Sequence, residues 1–169
     1  ADFAKHLNGG VGVELRRRVS LKQRQEMGAF FTGATLRDRA FAIYGDQPLE
    51  GAVWDPACGA GDLLLSYAER LPVFPDLATT LAHWGKKLYC RDTQELFLRA
   101  ARARLVLVAF LKGARKINKT RLNLRTVFPN LLKCDSLKTP PKILPVEIAL
   151  NPPYISIEAT QGCEWAGGS

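Results

Sequence analysis

The sequence predicts an α/β fold built on a parallel sheet, and three observations predict it. Short apolar runs alternate with stretches of helical period, an order that calls for parallel strands joined by crossovers. Four successive apolar runs end in a polar residue, namely Asp55, Asp92, Asp135 and Asn151. The chain also has 169 residues, 47% of them apolar, which is enough for one domain with a real core.

Taken in order, residues 11–27 place Val13, Leu15, Val19 and Leu21 at helical spacing, and residues 34–44 read as a second helix. Gly51-Ala52-Val53-Trp54 is a short buried strand that ends at Asp55-Pro56. A glycine-bearing turn, Ala57 to Gly61, leads into a helix expected over 62–71, which Pro72 and Pro75 stop. Residues 87–91 form the next strand, ending at Asp92. A long helix is expected from Thr93 as N-cap to Lys112, with Leu96, Ala100 and Leu107 near one face and Gly113 as its stop. Residues 113–125 are a basic loop or short helix. A strand near 131–134 ends at Asp135, Pro140-Pro141 mark a loop, and 146–150 is the last strand. The chain is thus expected to divide into an N-terminal helical segment, 1–45, and an α/β portion, 46–169.

Lys and Arg number 24 against 16 acids, so the net charge is +8, with a pI near 9.6. Twelve of the cations, against Asp135 alone, lie between Arg99 and Lys142. Such a run is either a solvated face or a surface for phosphates. No apolar run is long enough for a membrane span. The four cysteines have no CxxC spacing, which excludes a zinc finger and argues for reduced thiols, no metal and a cytoplasmic setting. His6 and His83 have no partners at ligand spacing and are expected at the surface. Trp54, Trp84 and Trp165 are expected in the core or at an interface.

In a parallel sheet ligands bind at the carboxyl ends of strands. Asp55-Pro56-Ala57-Cys58-Gly59-Ala60-Gly61 joins a strand to a helix, and its glycines admit close approach of a ligand to the backbone. Asp92, at the next strand end, is placed to accept ribose hydroxyls, to cap the following helix, or to do both. There is no GxGxxG and no GxxxxGK[ST], so neither a pyrophosphate nor a nucleoside triphosphate is served. A nucleoside without phosphates, such as S-adenosylmethionine, fits better.

The motif 55–61 resembles the D-P-x-C-G-S/T-G cofactor motif of amino-methyltransferases. Met27-Gly28-Ala29-Phe30-Phe31-Thr32 is similar to the motif that these DNA enzymes place upstream of it, and Asn151-Pro152-Pro153-Tyr154 resembles their catalytic tetrapeptide. Their order resembles that of the gamma group of N6-adenine DNA methyltransferases, of the restriction–modification or phage-defence type, over about residues 22–158. The departures are Gly33, where the family has Pro, and Ala60, where it has Ser or Thr.

The resemblance implies a Rossmann-like S-adenosylmethionine-dependent methyltransferase fold, present as its N-terminal half. It implies that Phe30, Phe31 and Thr32 line the methionine end of the cofactor. Asp55, Ala57 and Gly59 meet its amino group, with Cys58 and Gly61 in the same turn. Asp92 holds the ribose, Thr93 packs beside the adenine, and Asp135, followed by Ser136, accepts from the adenine amino group. Adjacent aromatics on a strand face opposite ways, so one of Phe30 and Phe31 lines the pocket at most, and taken alone the pair is better explained by plain core packing.

Adenine's exocyclic amine is a poor nucleophile because its lone pair is delocalised. Two acceptors placed on its hydrogens favour the pyramidal nitrogen and the charge growing on it. The Asn151 side-chain oxygen and the Pro152 carbonyl have that chemistry. Pro152 and Pro153 pre-set the backbone, and Tyr154 offers a face on which an extruded base stacks.

About fifteen residues follow Tyr154, fewer than such a fold needs. The chain is therefore expected to be a fragment, or to be completed by the rest of its own polypeptide or by a restriction or specificity subunit. Alone it is expected to bind cofactor weakly and to methylate little. DNA is the expected partner. Methylation of protein glutamine or RNA adenine uses the same tetrapeptide and stays open, as does a non-catalytic nucleic-acid-binding module.

Overall fold

The computed structural model describes residues 51–117, 122–139, 141 and 147–149, with the isolated positions 13, 14, 17, 39 and 42. Those isolated positions are helical and fall inside the two helices expected at the N-terminus. Phe30-Phe31-Thr32 and Asn151-Pro152-Pro153-Tyr154 lie outside the described residues.

Four strands form one sheet: β1 (Val53–Asp55), β2 (Leu88–Asp92), β3 (Leu131–Lys133) and β4 (Glu147–Ile148). Their order is β3-β2-β1-β4, and every pair is parallel. This is the order of the first strands of a doubly wound sheet, and the chain reverses direction across the sheet between β1 and β4. The register sets Val53 beside Leu88 and Cys90 beside Leu131, all four buried. Trp54, Tyr89 and Ile148 are neighbours on the alternate face, where Trp54 and Tyr89 are half-buried and Ile148 exposed.

Helix α1 (Asp62–Ala68) is buried on all sides from Leu63 onward. It is shorter than expected because its end is closed before the prolines. Lys112 brings its ammonium to the carbonyls of Ala68, Glu69 and Leu71, satisfying acceptors that the helix end leaves open.

Helix α2 (Leu77–Gly85) is not among the elements expected from the sequence. Asp76 caps it, accepting from the Thr79 amide and hydroxyl, each at 2.8 Å. Leu77, Thr80, Leu81 and Trp84 form its buried stripe, and the Trp84 indole donates to the Pro72 carbonyl. Gly85 is required by space, since a Cβ there would collide with the carbonyl of Val127 in the short helix α4 (Leu124–Val127).

Helix α3 (Glu95–Leu111) starts later than expected. Thr93 is exposed and does not cap it; the Asp92 carboxylate instead accepts from the Gln94 amide and shapes the entry. The face differs as well. Phe97, Leu98, Ala101, Leu105 and Val108 are buried, whereas Leu96 is exposed, because α3 packs on α1, α2 and the sheet with the neighbouring stripe. Its end is as expected: the Gly113 amide donates to Phe110 and that of Ala114 to Ala109, the paired bonds of a glycine-terminated helix.

Candidate functional site

The carboxyl ends of β1 and β2 carry Asp55 and Asp92, and between them runs the turn 56–61. The turn is held from within. The Asp55 carboxylate accepts from the Ala57 amide at 3.1 Å. The Cys58 amide donates to the Arg91 carbonyl at 3.1 Å and the Gly61 amide to the Cys58 carbonyl at 2.8 Å. The Gly59 amide donates to the Asp92 carboxylate at 2.9 Å. Turn amides committed in this way leave no cradle of free donors for a phosphate.

Asp55 is 2% exposed. Burial pushes its carboxyl up to about 7, and the nearby Asp92 and Asp62 carboxylates add to the rise against the Ala57 hydrogen bond. Asp92 is also pushed up by burial, opposed by its bonds from Gln94 and Gly59. Among the described residues, the second oxygen of Asp55 accepts nothing. A carboxylate has about four acceptor positions, so Asp92 keeps capacity beyond its two amides. Helix capping and ligand binding are therefore compatible at Asp92.

Two residues of the turn also have packing roles. Gly61 sits at φ 83°, and a Cβ there would lie 2.9 Å from the Ala101 Cβ. Close packing against α3 by itself thus requires a glycine here. Cys58 turns its side chain into the core, 6% exposed, where its thiol adjoins that of Cys90. Burial pushes both thiols up, so neither is a ready nucleophile.

The third strand end is looser than the sequence implies. β3 stops at Lys133, and Asp135 lies two residues beyond it. The Cys134 amide donates to the Asp92 carbonyl at 3.1 Å, which brings this loop beside Asp92. Asp135 accepts from the Leu137 amide on its side chain and from the Thr139 amide on its carbonyl. Ser136 is half-buried. The fold thus gathers Asp55, Ala57, Gly59, Asp92 and Asp135 at one edge of the sheet. Thr93 stands exposed beside them. β4 ends there too, since the Ala149 amide donates to the Trp54 carbonyl at 3.0 Å.

Sequence reasoning missed two supporting residues. Arg104, 4% exposed, reaches from α3 to the Ala60 carbonyl at 2.8 Å and to the Asp62 carboxylate at 2.7 Å, anchoring the turn from behind. Arg91 is similarly buried and ties β2 to the 135–139 turn. The available signal was a charged residue inside an apolar strand between Cys90 and Asp92. The basic segment 99–142 also divides. Arg102 and Arg104 are buried, Arg102 bonding the Leu131 carbonyl and Glu95, while Lys112 serves α1. His83, expected at the surface, is half-buried edge-on to Phe74.

Among the described residues no helix is long and apolar enough to cross a membrane. No family model matches the chain, and no curated protein matches it.

Proposed function

We propose that the chain binds S-adenosylmethionine across the tips of β1 and β2 and directs its methyl to the N6 amine of adenine in DNA. The observation that carries this reading is the acid pair Asp55 and Asp92 at the point where strand order reverses, on a turn whose amides are spent internally. In doubly wound sheets that point is the ligand crevice. A buried and a half-buried carboxylate there repel phosphates and favour a nucleoside that carries positive charge and hydroxyl donors. S-adenosylmethionine has an ammonium, a sulfonium and a ribose, and no phosphate.

The cofactor supplies an activated methyl group on sulfur. Asp55 offers its open oxygen to the ammonium, and the ammonium holds the carboxyl ionised. Asp92 accepts from the ribose while keeping its bonds to Gly59 and Gln94. Asp135 accepts from the adenine amine of the cofactor. Two residues past Ala149 the sequence reads Asn151-Pro152-Pro153-Tyr154, and β4 leads toward it at the Asp55 end of β1. In this reading the Asn151 oxygen and the Pro152 carbonyl accept from the target amine, which becomes acidic once methylated and releases its proton to water. Tyr154 stacks on the base.

The test is calorimetry with S-adenosylhomocysteine on the 169-residue chain, then tritium transfer to duplex DNA, RNA and glutamine peptide. Weak heat from the wild type, and none from Asp92→Ala, is expected. A trace of label on DNA alone, lost in Asn151→Ala, is expected to follow. Absence of heat from the wild type overturns the cofactor, and label on RNA or peptide in place of DNA overturns the substrate.

A further inference from the structure

We propose that Arg91 is a positioning residue that sets the base selectivity of this cofactor site by holding the 135–139 turn, and with it Asp135, against β2. The inference rests on the cofactor reading above and extends it to a residue that no motif contains.

Arg91 is 4% exposed, yet its partners are all backbone carbonyls. Nη1 donates to Cys90 at 2.9 Å and to Asn130 at 3.0 Å, and Nε donates to Thr139 at 3.2 Å. Among the described residues no carboxylate lies within ion-pair distance of it. A buried charge satisfied only by neutral acceptors gives up much of its hydration, and an apolar side chain of similar length would pack there at less cost. What an apolar side chain cannot do is join segments 39 and 48 positions away through one rigid fork.

The start of the turn is tied to β2 by the Cys134 amide, which donates to the Asp92 carbonyl, but from Asp135 onward little besides Arg91 fixes it to the sheet. Leu137 is 84% exposed, and the Lys138–Asp135 pair is 4.0 Å apart with Lys138 at 84%. Surface pairs of that kind contribute little. The turn is closed on itself, because the Thr139 amide returns to the Asp135 carbonyl and the Leu137 amide to the Asp135 side chain. Displacing Thr139 therefore rotates Asp135. The Arg91 carbonyl also accepts from the Cys58 amide. One residue thus holds both lips of the crevice: the glycine turn by its backbone and the Asp135 turn by its side chain.

The experiment measures Kd on the full chain for S-adenosylhomocysteine and for its analogue lacking the adenine 6-amino group. The ratio of the two values reports whether Asp135 meets the amine. In the wild type the amino-bearing ligand is expected to bind more tightly. Arg91→Met is expected to lower the ratio about fivefold or more, toward that of Asp135→Ala, and the double variant is expected to lose nothing further. An Arg91→Met chain that binds both ligands less well with the ratio intact has only a structural lesion, and that result overturns the proposal. If Arg91→Met does not melt cooperatively, Arg91→Lys, which keeps one donor group, is judged by the same ratio. A wild type that binds both ligands equally overturns the Asp135 assignment and this inference while the cofactor reading stands. A wild type that binds neither overturns both.

Discussion

Asp55 is an acid held where an acid is costly. Its carboxyl is pushed up to about 7 from 3.8. Below about pH 4 it is protonated in both the folded and unfolded chain and contributes nothing. As pH rises from there to about 7, the unfolded chain releases the proton and the folded chain keeps it, so stability falls. Above 7 the cost is constant, of order 4 kcal/mol. Asp55→Asn removes the titration and keeps an oxygen for the Ala57 amide. It also buries an amide with unmet donors, at about 1–3 kcal/mol. The larger effect wins. Thermal melts are expected to show Asp55→Asn above the wild type at pH 8 and no longer above it at pH 4. A difference independent of pH would mean that Asp55 does not titrate in this range. In the proposed cofactor reading it is a ligand, and not the fold, that uses this charge. Binding of a ligand ammonium beside it favours the ionised carboxyl, so affinity rises with pH through the same window in the wild type only.

At the level of elements, α2 shows what local sequence conceals. Its N-cap Asp76 and the stripe Leu77, Thr80, Leu81 and Trp84 follow helical rules, yet the segment is short and sits between prolines and a strand. It is held by partners remote in sequence: the Leu77 amide donates to the Lys116 carbonyl, and the Asn130 side chain donates to the Gly85 carbonyl. Gly85 makes the clearest prediction. Alanine gains about 1 kcal/mol in helix propensity. Against that, its Cβ meets the Val127 carbonyl, a backbone atom that moves only with α4, and overpacking of this kind costs about 1–3 kcal/mol or more. Gly85→Ala is therefore expected to lower Tm by about 5 °C, for a net loss of roughly 2 kcal/mol. An unchanged Tm would show that α4 yields freely. The strand tips were legible because Asp55 and Asp92 each close an apolar run, a pattern that needs no distant partner. The α3 start and face were not. Thr93 is a good cap by type, but the Asp92 carboxylate shapes the entry first, and which stripe of an apolar helix is buried depends on α1 and α2. Arg104 reads as an ordinary surface cation until the fold brings the Ala60 carbonyl to it, and Arg91, although it stands inside an apolar strand, shows nothing of its Thr139 partner.

Over the whole molecule, the net charge of +8 is attractive to nucleic acid, and in the proposed reading its distribution decides where DNA is met. α3 carries the chain away from the strand tips for 17 residues, about 25 Å, and delivers Arg115 and Lys116 to the opposite edge of the sheet. Arg102, Arg104 and Lys112 are spent on the protein's own carbonyls and acids. Among the described residues, Lys133 and Lys138 lie on the tip side, exposed, at the end of β3 and in the turn behind Asp135. If the target base enters at the tips, its flanking phosphates meet these two lysines and not the far pair. Replacing both Lys133 and Lys138 by Ala is expected to weaken duplex binding and to lower the slope of log affinity against log salt by about 2, one for each phosphate left without its lysine. Replacing Arg115 and Lys116 removes the same charge from the molecule and is expected to leave the slope unchanged. Equal losses from the two pairs would mean that the duplex senses net charge alone, and the tips of the sheet would then have no claim to be where DNA docks.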